Sequence, residues 1–187
     1  LAWVAQRRVA LRDLKPDNLL VSGEPSRYPT FLKSAADFSI GLIDLETAIY
    51  CPEDGALLPE QPQLGGTPSY ATPSHFLSNK ILERFYPDLW EVFSLQDGYA
   101  VLAIIFRVVT DKWLFPKSSA LFPGFLKDLK KTSGREESMV EVYRRHNADF
   151  WQTARDEFFQ KSARYGPFLD AASVAVPDSI LQMMTVF

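Results

Sequence analysis

Three polar side chains with complementary chemistry stand within six residues near the start of the chain: Asp13, Lys15 and Asn18. A carboxylate can accept a proton, and an ammonium group can neutralise a phosphate during its transfer. The amide of Asn18 offers a hard oxygen of the kind that Mg²⁺ binds. Pro16 fixes its own φ and restricts Lys15 to extended geometry, which stiffens the turn. The residue types and their spacing predict a phosphate and metal site.

Short apolar runs on either side must position these residues. Residues 9–11 and 19–21 are apolar, and such runs around a polar segment predict two short strands joined by a loop. Residues 39–43 predict a further short strand that ends at Asp44. Pairing of the strands would bring Asp44 beside Asn18 and supply a second hard ligand for Mg²⁺.

The run Arg12-Asp13-Leu14-Lys15-Pro16-Asp17-Asn18 resembles the catalytic loop of protein kinases, and Asp44-Leu45-Glu46 stands where kinases carry Asp-Phe-Gly. The resemblance implies that Asp13 orients and deprotonates the substrate hydroxyl and that Lys15 stabilises charge on the γ-phosphoryl group. It implies that Asn18 and Asp44 hold Mg²⁺ and that Arg12 supports the loop. Lys15 also favours Ser/Thr over Tyr as the accepting residue, by analogy with the family.

Two positions in these motifs depart from the family pattern. Leu11 replaces the usual His, which affects packing more than chemistry. Glu46 replaces a Gly, and a residue with a Cβ reaches the φ values open to Gly at a cost of order 1 kcal/mol. Glu46 also adds charge beside the predicted metal site, so it would either restrict an inactivating flip or mark a degenerate enzyme.

Residues 47–72 are rich in Pro, Gly and acidic residues, which predicts a mobile loop. By position this loop resembles the activation segment of kinases. Within Gly66-Thr67-Pro68-Ser69-Tyr70 the resemblance implies that Thr67 contacts the catalytic loop on the substrate side. Pro73 matches the family's Ala-Pro-Glu, whereas Ser74 replaces a Glu that pairs with a distant Arg, so packing must replace that pair or the lobe is looser.

Residues 99–109 are the most apolar stretch and predict a buried core helix, introduced by Asp97 and too short for a bilayer, which needs about 20 apolar residues. The resemblance implies that Asp97 ties down the backbone of the catalytic loop, whereas its residue type alone also fits a helix N-cap. Residues 83–95 are predicted to be an insertion anchored by Trp90 and Phe93.

The remaining segments follow from periodicity and composition. Residues 22–37 predict a long surface loop, residues 162–177 another loop, and residues 178–187 a last short helix. From residue 139 to residue 158 apolar residues recur at steps of three and four, which predicts an amphipathic helix. Arg144-Arg145 and Arg155-Asp156-Glu157 are predicted to lie on its solvated face, with a partner-docking face as the less favoured alternative. The stripe comprises Met139, Val142, Tyr143, His146, Phe150, Ala154 and Phe158.

Length and composition set the frame for these predictions. At 187 residues and 47% hydrophobic, the chain can bury one sizeable core. A net charge of -3 gives no reason to expect nucleic acid or an anionic membrane as a partner. The single cysteine, Cys51, fits an inert thiol in a reducing, cytoplasmic compartment. His75 and His146 are too few for a zinc site and fit helix or loop roles.

The sequence is therefore expected to be an α+β domain over residues 1–187: the mostly helical C-terminal lobe of a protein-kinase-like fold, with short strands around the catalytic loop. No signal peptide opens it, and the glycine-rich loop and strand lysine of kinases are expected in an N-terminal lobe before Leu1. The full-length protein would use ATP and Mg²⁺ to phosphorylate a protein substrate, and this chain alone would be inactive.

Two alternatives remain open from the sequence. A pseudokinase that binds partners without transferring phosphate is suggested by Leu11, Glu46 and Ser74, and Mg²⁺-dependent nucleotide binding would discriminate it. A small-molecule kinase of similar fold is the second alternative. The Lys15-Pro16 pair and the peptide-type segment around Thr67 argue against it, although fold is a poor guide to substrate.

Overall fold

The computed structural model describes residues 2–52, 61–132 and 134–171. Helices and short antiparallel strands both occur in these ranges, so the predicted α+β class is confirmed. The strands are β1 Val9–Ala10, β2 Leu19–Gly23, β3 Phe38–Leu42 and β4 Ile49–Tyr50. The helices are α1 Ala2–Ala5, α2 Asn79–Leu82, α3 Leu89–Thr110, α4 Pro116–Ser119, α5 Phe122–Lys131 and α6 Glu136–Ala171.

The strands form two small antiparallel pairs that flank the predicted loop. In one pair Val9 lies opposite Tyr50, and in the other Leu19 lies opposite Leu42. The loop of residues 11–18 is thus held between the end of β1 and the start of β2, as the apolar runs predicted. The loop ends in a 3-10 turn at Pro16–Asn18. Pro16 is the first residue of this turn and restricts its backbone.

The connection between β2 and β3 is exposed, as its composition predicted. It contains 3-10 turns at Pro25–Arg27 and Thr30–Lys33 and an ion pair of 2.8 Å between Arg27 and Asp37. Phe31 is its buried anchor. The pairing of β2 with β3 extends through Gly23 and Phe38, so β2 is two residues longer than predicted, whereas β3 keeps the predicted length and begins and ends one residue earlier.

Helix α3 is the central helix of the core, and its start corrects the prediction. It begins at Leu89, where the side chain of Asp88 accepts a hydrogen bond from the backbone N–H of Trp90 at 2.8 Å. Residues 89–95 are therefore its first turns rather than an insertion, and Phe93 within them is fully buried. Asp97 lies inside the helix and is not an N-cap. Burial of one helix face extends the helix across residues 89–98, which the sequence left outside it.

Helix α3 has 22 residues and is therefore longer than the stretch that the sequence predicted to be too short for a bilayer. Among the described residues it is the one helix long and apolar enough to cross a bilayer. Half of its most apolar window is buried inside the structure, where α3 packs against β1, α2 and α6. Apolar length is therefore weak evidence for a span here, because a buried core helix has the same composition.

The predicted amphipathic helix is α6, and it packs against α3, α4 and α5. It runs on to Ala171, so the loop predicted from residue 162 is wrong as far as residue 171. The rest of that loop and the helix predicted over 178–187 lie outside the described residues. The apolar stripe of α6 is buried, although Met139, Val142 and His146 are only partly buried. The buried apolar residues of α6 are Val140, Tyr143, Phe150, Trp151, Ala154 and Phe158.

Glu157 corrects the prediction of a fully solvated face on α6. It is buried, and its carboxylate accepts hydrogen bonds from the backbone N–H of Lys117 at 2.9 Å and of Ser118 at 3.0 Å, and from the Ser118 hydroxyl at 2.8 Å. A buried carboxylate is tolerated when it accepts several hydrogen bonds. Arg144 and Arg145 are exposed, as predicted. Glu157 therefore joins α4 to α6.

Candidate active site

The backbone of the loop after β1 is held by one carboxylate of α3. Asp97 accepts hydrogen bonds from the backbone N–H groups of Leu11 and Arg12, one on each oxygen and each 2.7 Å long. Arg12 has a left-handed φ of 67°, a conformation that costs of order 1–3 kcal/mol in a residue with a Cβ. Burial raises the pKa of Asp97 to about 6, and the two N–H groups oppose that rise. The loop therefore keeps a strained geometry through a contact with a residue 85 positions away.

The guanidinium group of Arg12 is buried in the same region. Its Nε donates to the side-chain oxygen of Gln96 at 3.0 Å, and its Nη1 donates to the backbone oxygen of Gln63 at 3.3 Å. The group lies over the ring of Phe93, 5.2 Å from the centroid. Burial lowers its pKa to about 10, so it stays charged at neutral pH. Arg12 thus connects the loop to α3 and to the segment that follows residue 60.

Asp13, Lys15 and Asn18 interact directly. The Lys15 ammonium lies 2.7 Å from Asp13 Oδ2, and the two side chains are 21% and 19% exposed. The Asn18 amide nitrogen donates to the Asp13 backbone oxygen at 2.9 Å and lies 3.4 Å from Asp13 Oδ2. The hydrogen bond to Asp13 raises the pKa of Lys15, so Lys15 is charged at neutral pH. The loop brings together the acid, the cation and the amide that the sequence singled out.

Strand pairing positions Asp44 near this group. The backbone N–H of Ile43 donates to the backbone oxygen of Asn18 at 3.1 Å, immediately after the β2–β3 ladder. Asp44 follows with a left-handed φ of 57°. Its negative charge contributes to the raised pKa of Lys15, along with that of Asp13. Asp44 therefore lies at the loop, near Lys15, while its predicted pairing with the Asn18 side chain stays a prediction.

One open cleft of about 330 Å³ is lined by most of these residues. Thr67 lies on its wall together with Asp13, Lys15 and Asp44, although Asn18 does not line it. The cleft is polar, and its lining includes two glycines. Its remaining lining residues are Glu46, Thr47, Gln63, Leu64, Gly65 and Gly66.

Glu46 occupies this cleft without the backbone cost expected for it. Among the described residues, the non-glycine residues with a left-handed φ are Arg8, Arg12, Asp44 and Asp111. Glu46 is not one of them, so the strain predicted at this position is absent. Its added charge remains, and the cleft carries three carboxylates against one lysine.

The cleft offers few ligands for a cation. Within the described ranges, no cluster of three or more His, Cys, Asp or Glu side chains is arranged to hold a metal ion. Asn18 uses its amide nitrogen towards Asp13, which leaves its Oδ1 as the atom that could bind a cation. A carboxylate from Asp44 and an amide oxygen fit Mg²⁺, which takes few protein ligands and completes its octahedron with water and phosphate oxygens.

A buried polar network behind the loop was not foreseen from the sequence. Gln96, which accepts from Arg12, donates to the Ser74 hydroxyl at 2.9 Å. Ser74 lies 2.8 Å from the Thr72 hydroxyl, which in turn lies 3.1 Å from His75 Nδ1. Ser74, which the sequence resemblance aligns with a Glu, thus places a hydroxyl within this network.

His75 closes this network onto the loop. The backbone N–H of Thr72 lies 3.0 Å from Nδ1, so Nδ1 accepts and Nε2 carries the proton. Nε2–H then donates to the backbone oxygen of Arg12 at 2.8 Å. Complete burial lowers the pKa of His75 to about 4, and the charge of Arg12 adds to this effect. The backbone of Arg12 is therefore held on both sides, by Asp97 at its N–H and by His75 at its carbonyl oxygen.

The Thr72-x-x-His75 spacing, which matches a helix capping box, was the one local signal for this arrangement. It lies on a 3-10 turn at Pro73–Phe76. The contact with Arg12 spans 63 positions and has no local signal.

Comparison with known proteins adds no assignment. A scan of the sequence against protein-family models finds no match, and a search of curated proteins finds no significant relative.

Proposed function

We propose that this chain is the C-terminal lobe of a Ser/Thr-type protein kinase, which transfers the γ-phosphoryl group of ATP to a hydroxyl of a protein substrate. The observation that carries the proposal is the shared cleft of about 330 Å³, which is lined by Asp13, Lys15, Asp44 and Thr67. Phosphoryl transfer depends mainly on positioning and charge stabilisation. A rigidly anchored acid beside a cation supports that chemistry.

Each of these side chains has a distinct role in the proposal. Asp13 orients the accepting hydroxyl and takes its proton. Lys15, already 2.7 Å from Asp13, neutralises charge that develops on the transferred group. Asn18 and Asp44 would hold Mg²⁺, which when bound neutralises phosphate charge. Thr67 and its neighbouring glycines form the wall on which the substrate backbone would lie.

An open apolar surface beside the loop is where an N-terminal lobe would pack to complete the nucleotide site. A groove of about 360 Å³ lies between the β2–β3 pair and α3 and is apolar throughout. Leu20, Val21 and Ile40 on the strands are more than half exposed. Such surface is normally covered in a complete protein. An N-terminal lobe that encloses the adenine ring would cover it. The groove residues are Leu14, Leu19, Ile40, Leu42, Val101, Ile104 and Ile105.

A binding scaffold without phosphoryl transfer is the competing function, and Glu46 favours it. Its carboxylate lines the cleft beside Asp13 and Asp44 and would repel the phosphates of a nucleotide. The unstrained backbone of Glu46 weakens the argument that the position is degenerate. Nucleotide binding by the full-length protein with and without Mg²⁺ separates the two functions, because a scaffold of this kind would bind none.

The direct test is phosphate incorporation from radiolabelled ATP and Mg²⁺ by the full-length protein. Replacing Asp13→Asn removes the base and should lower the transfer rate by about 100-fold or more. Asp17→Asn is the matched control, because Asp17 is exposed in the same loop and does not line the cleft. Equal rates for wild type and Asp13→Asn would show that Asp13 is not the base.

A further inference from the structure

A second groove adjoins the cleft on the far side of Thr67. It measures about 570 Å³ and lies between Pro68 and the helix α5. Because Thr67 lines the cleft and the next residue lines this groove, a single peptide unit separates the two spaces. The Ser119 hydroxyl donates to the backbone oxygen of Pro68 at 3.0 Å, which holds the boundary between them.

The groove combines an apolar floor with a basic rim. Its apolar lining residues are Pro68, Phe122, Pro123 and Leu126, and none of the described residues that line it is acidic. Lys127 and Lys130 stand at the rim, and their spacing from residue 123 places all three on one face of α5.

The two lysines at the rim are not neutralised by their neighbours. Asp128, the acidic residue of α5, faces α6, where it contacts Arg145 at 2.9 Å and His146 at 3.1 Å. It also pairs with Lys131 at 2.7 Å. Among the described residues, neither Lys127 nor Lys130 has an ion-pair partner. In a chain of net charge -3 this is a local basic surface directed at an apolar groove.

We propose that the groove of Pro68 and α5 binds an apolar side chain and adjacent acidic residues of the protein substrate. The inference rests on the proposed function, since it takes the substrate hydroxyl to lie at Asp13. An extended segment advances about 3.3–3.6 Å per residue, so a few residues from the hydroxyl suffice to enter the adjoining groove. Lys127 and Lys130 then select acidic sequences by charge complementarity.

The test is binding of short fluorescent peptides to the full-length protein without nucleotide. Each peptide carries a central Ser with Leu-Glu-Glu on its N-terminal or its C-terminal side, and a matched set carries Leu-Lys-Lys. We expect at least one acidic peptide to bind, and the double variant Lys127→Glu/Lys130→Glu to bind it about tenfold or more weakly. The same variant should bind the corresponding basic peptide about tenfold more tightly than wild type, which a misfolded protein could not do.

The control variant is Lys33→Glu/Lys112→Glu, which changes net charge equally at two exposed lysines outside the groove. If no acidic peptide binds, or if both double variants weaken binding equally, the groove does not select by charge and the inference is wrong.

Phosphorylation of the same peptides separates this inference from the proposed function. Equal KM values for the peptides with Leu-Glu-Glu and with Leu-Lys-Lys would overturn the groove and leave the kinase assignment standing. Charge-dependent binding without any phosphate transfer would overturn the kinase assignment and leave the groove as a binding site for acidic segments.

Discussion

Replacing His75→Phe tests whether the buried network supports the loop of residues 11–18. The ring volume is nearly kept, but the backbone oxygen of Arg12 and the backbone N–H of Thr72 lose their partner inside the core. An unsatisfied buried polar group costs about 1–3 kcal/mol. Two such groups should lower the free energy of unfolding by about 3 kcal/mol at pH 7, measured by urea unfolding with tryptophan fluorescence.

The pH dependence of this loss is the sharper part of the prediction. Burial lowers the pKa of His75 from 6.5 to about 4, so the unfolded chain takes up a proton more readily than the folded protein. His75 therefore contributes stability above about pH 6.5 that is lost as the pH falls towards 4. This loss amounts to about 3 kcal/mol in wild type and is absent from the variant. The difference between the two proteins should shrink from about 3 kcal/mol at pH 7 to near zero at pH 4.

His146→Phe is the matched control at pH 7. That side chain is only partly buried, and Asp128 keeps its contacts with Lys131 and Arg145 when His146 is removed. We expect a cost below about 1 kcal/mol. If the difference between wild type and His75→Phe stayed constant from pH 7 to pH 4, His75 would not be held neutral in the folded protein, and the argument for its tautomer and its bond to Arg12 would fail.

Two further predictions concern residues outside the loop. Glu157→Ala should lower the free energy of unfolding, measured in urea, by about 3 kcal/mol, because three donors of Lys117 and Ser118 lose their acceptor. The control Asp156→Ala, on the exposed side of α6, should change that free energy by no more than about 0.5 kcal/mol. Cys51 is buried and its pKa is raised to about 11, so Ellman's reagent at pH 7.5 should find no reactive thiol in the native chain and one after denaturation. Rapid labelling of the native protein would contradict that burial.

The sequence determined the local geometry around the cleft, because the signals involved act over short distances. Apolar runs on either side of residues 11–18 specified strand, loop and strand, and Pro16 restricted the turn. The strand before Asp44 was predictable for the same reason. The steps of three and four residues specified the buried face of α6, since a helix with such a stripe must pack it against a core.

The tertiary structure decided the contacts that join distant segments. Nothing local distinguishes Asp97 as a helix cap from Asp97 as the anchor of two backbone N–H groups, and only the position of α3 against β1 selects the anchor. His75 and Glu157 read as ordinary polar residues until folding buries them beside groups that need a partner. A buried polar group is stable only when it has hydrogen-bond partners, and here those partners come from distant parts of the chain. Packing brings the partners together, so the local sequence does not reveal them.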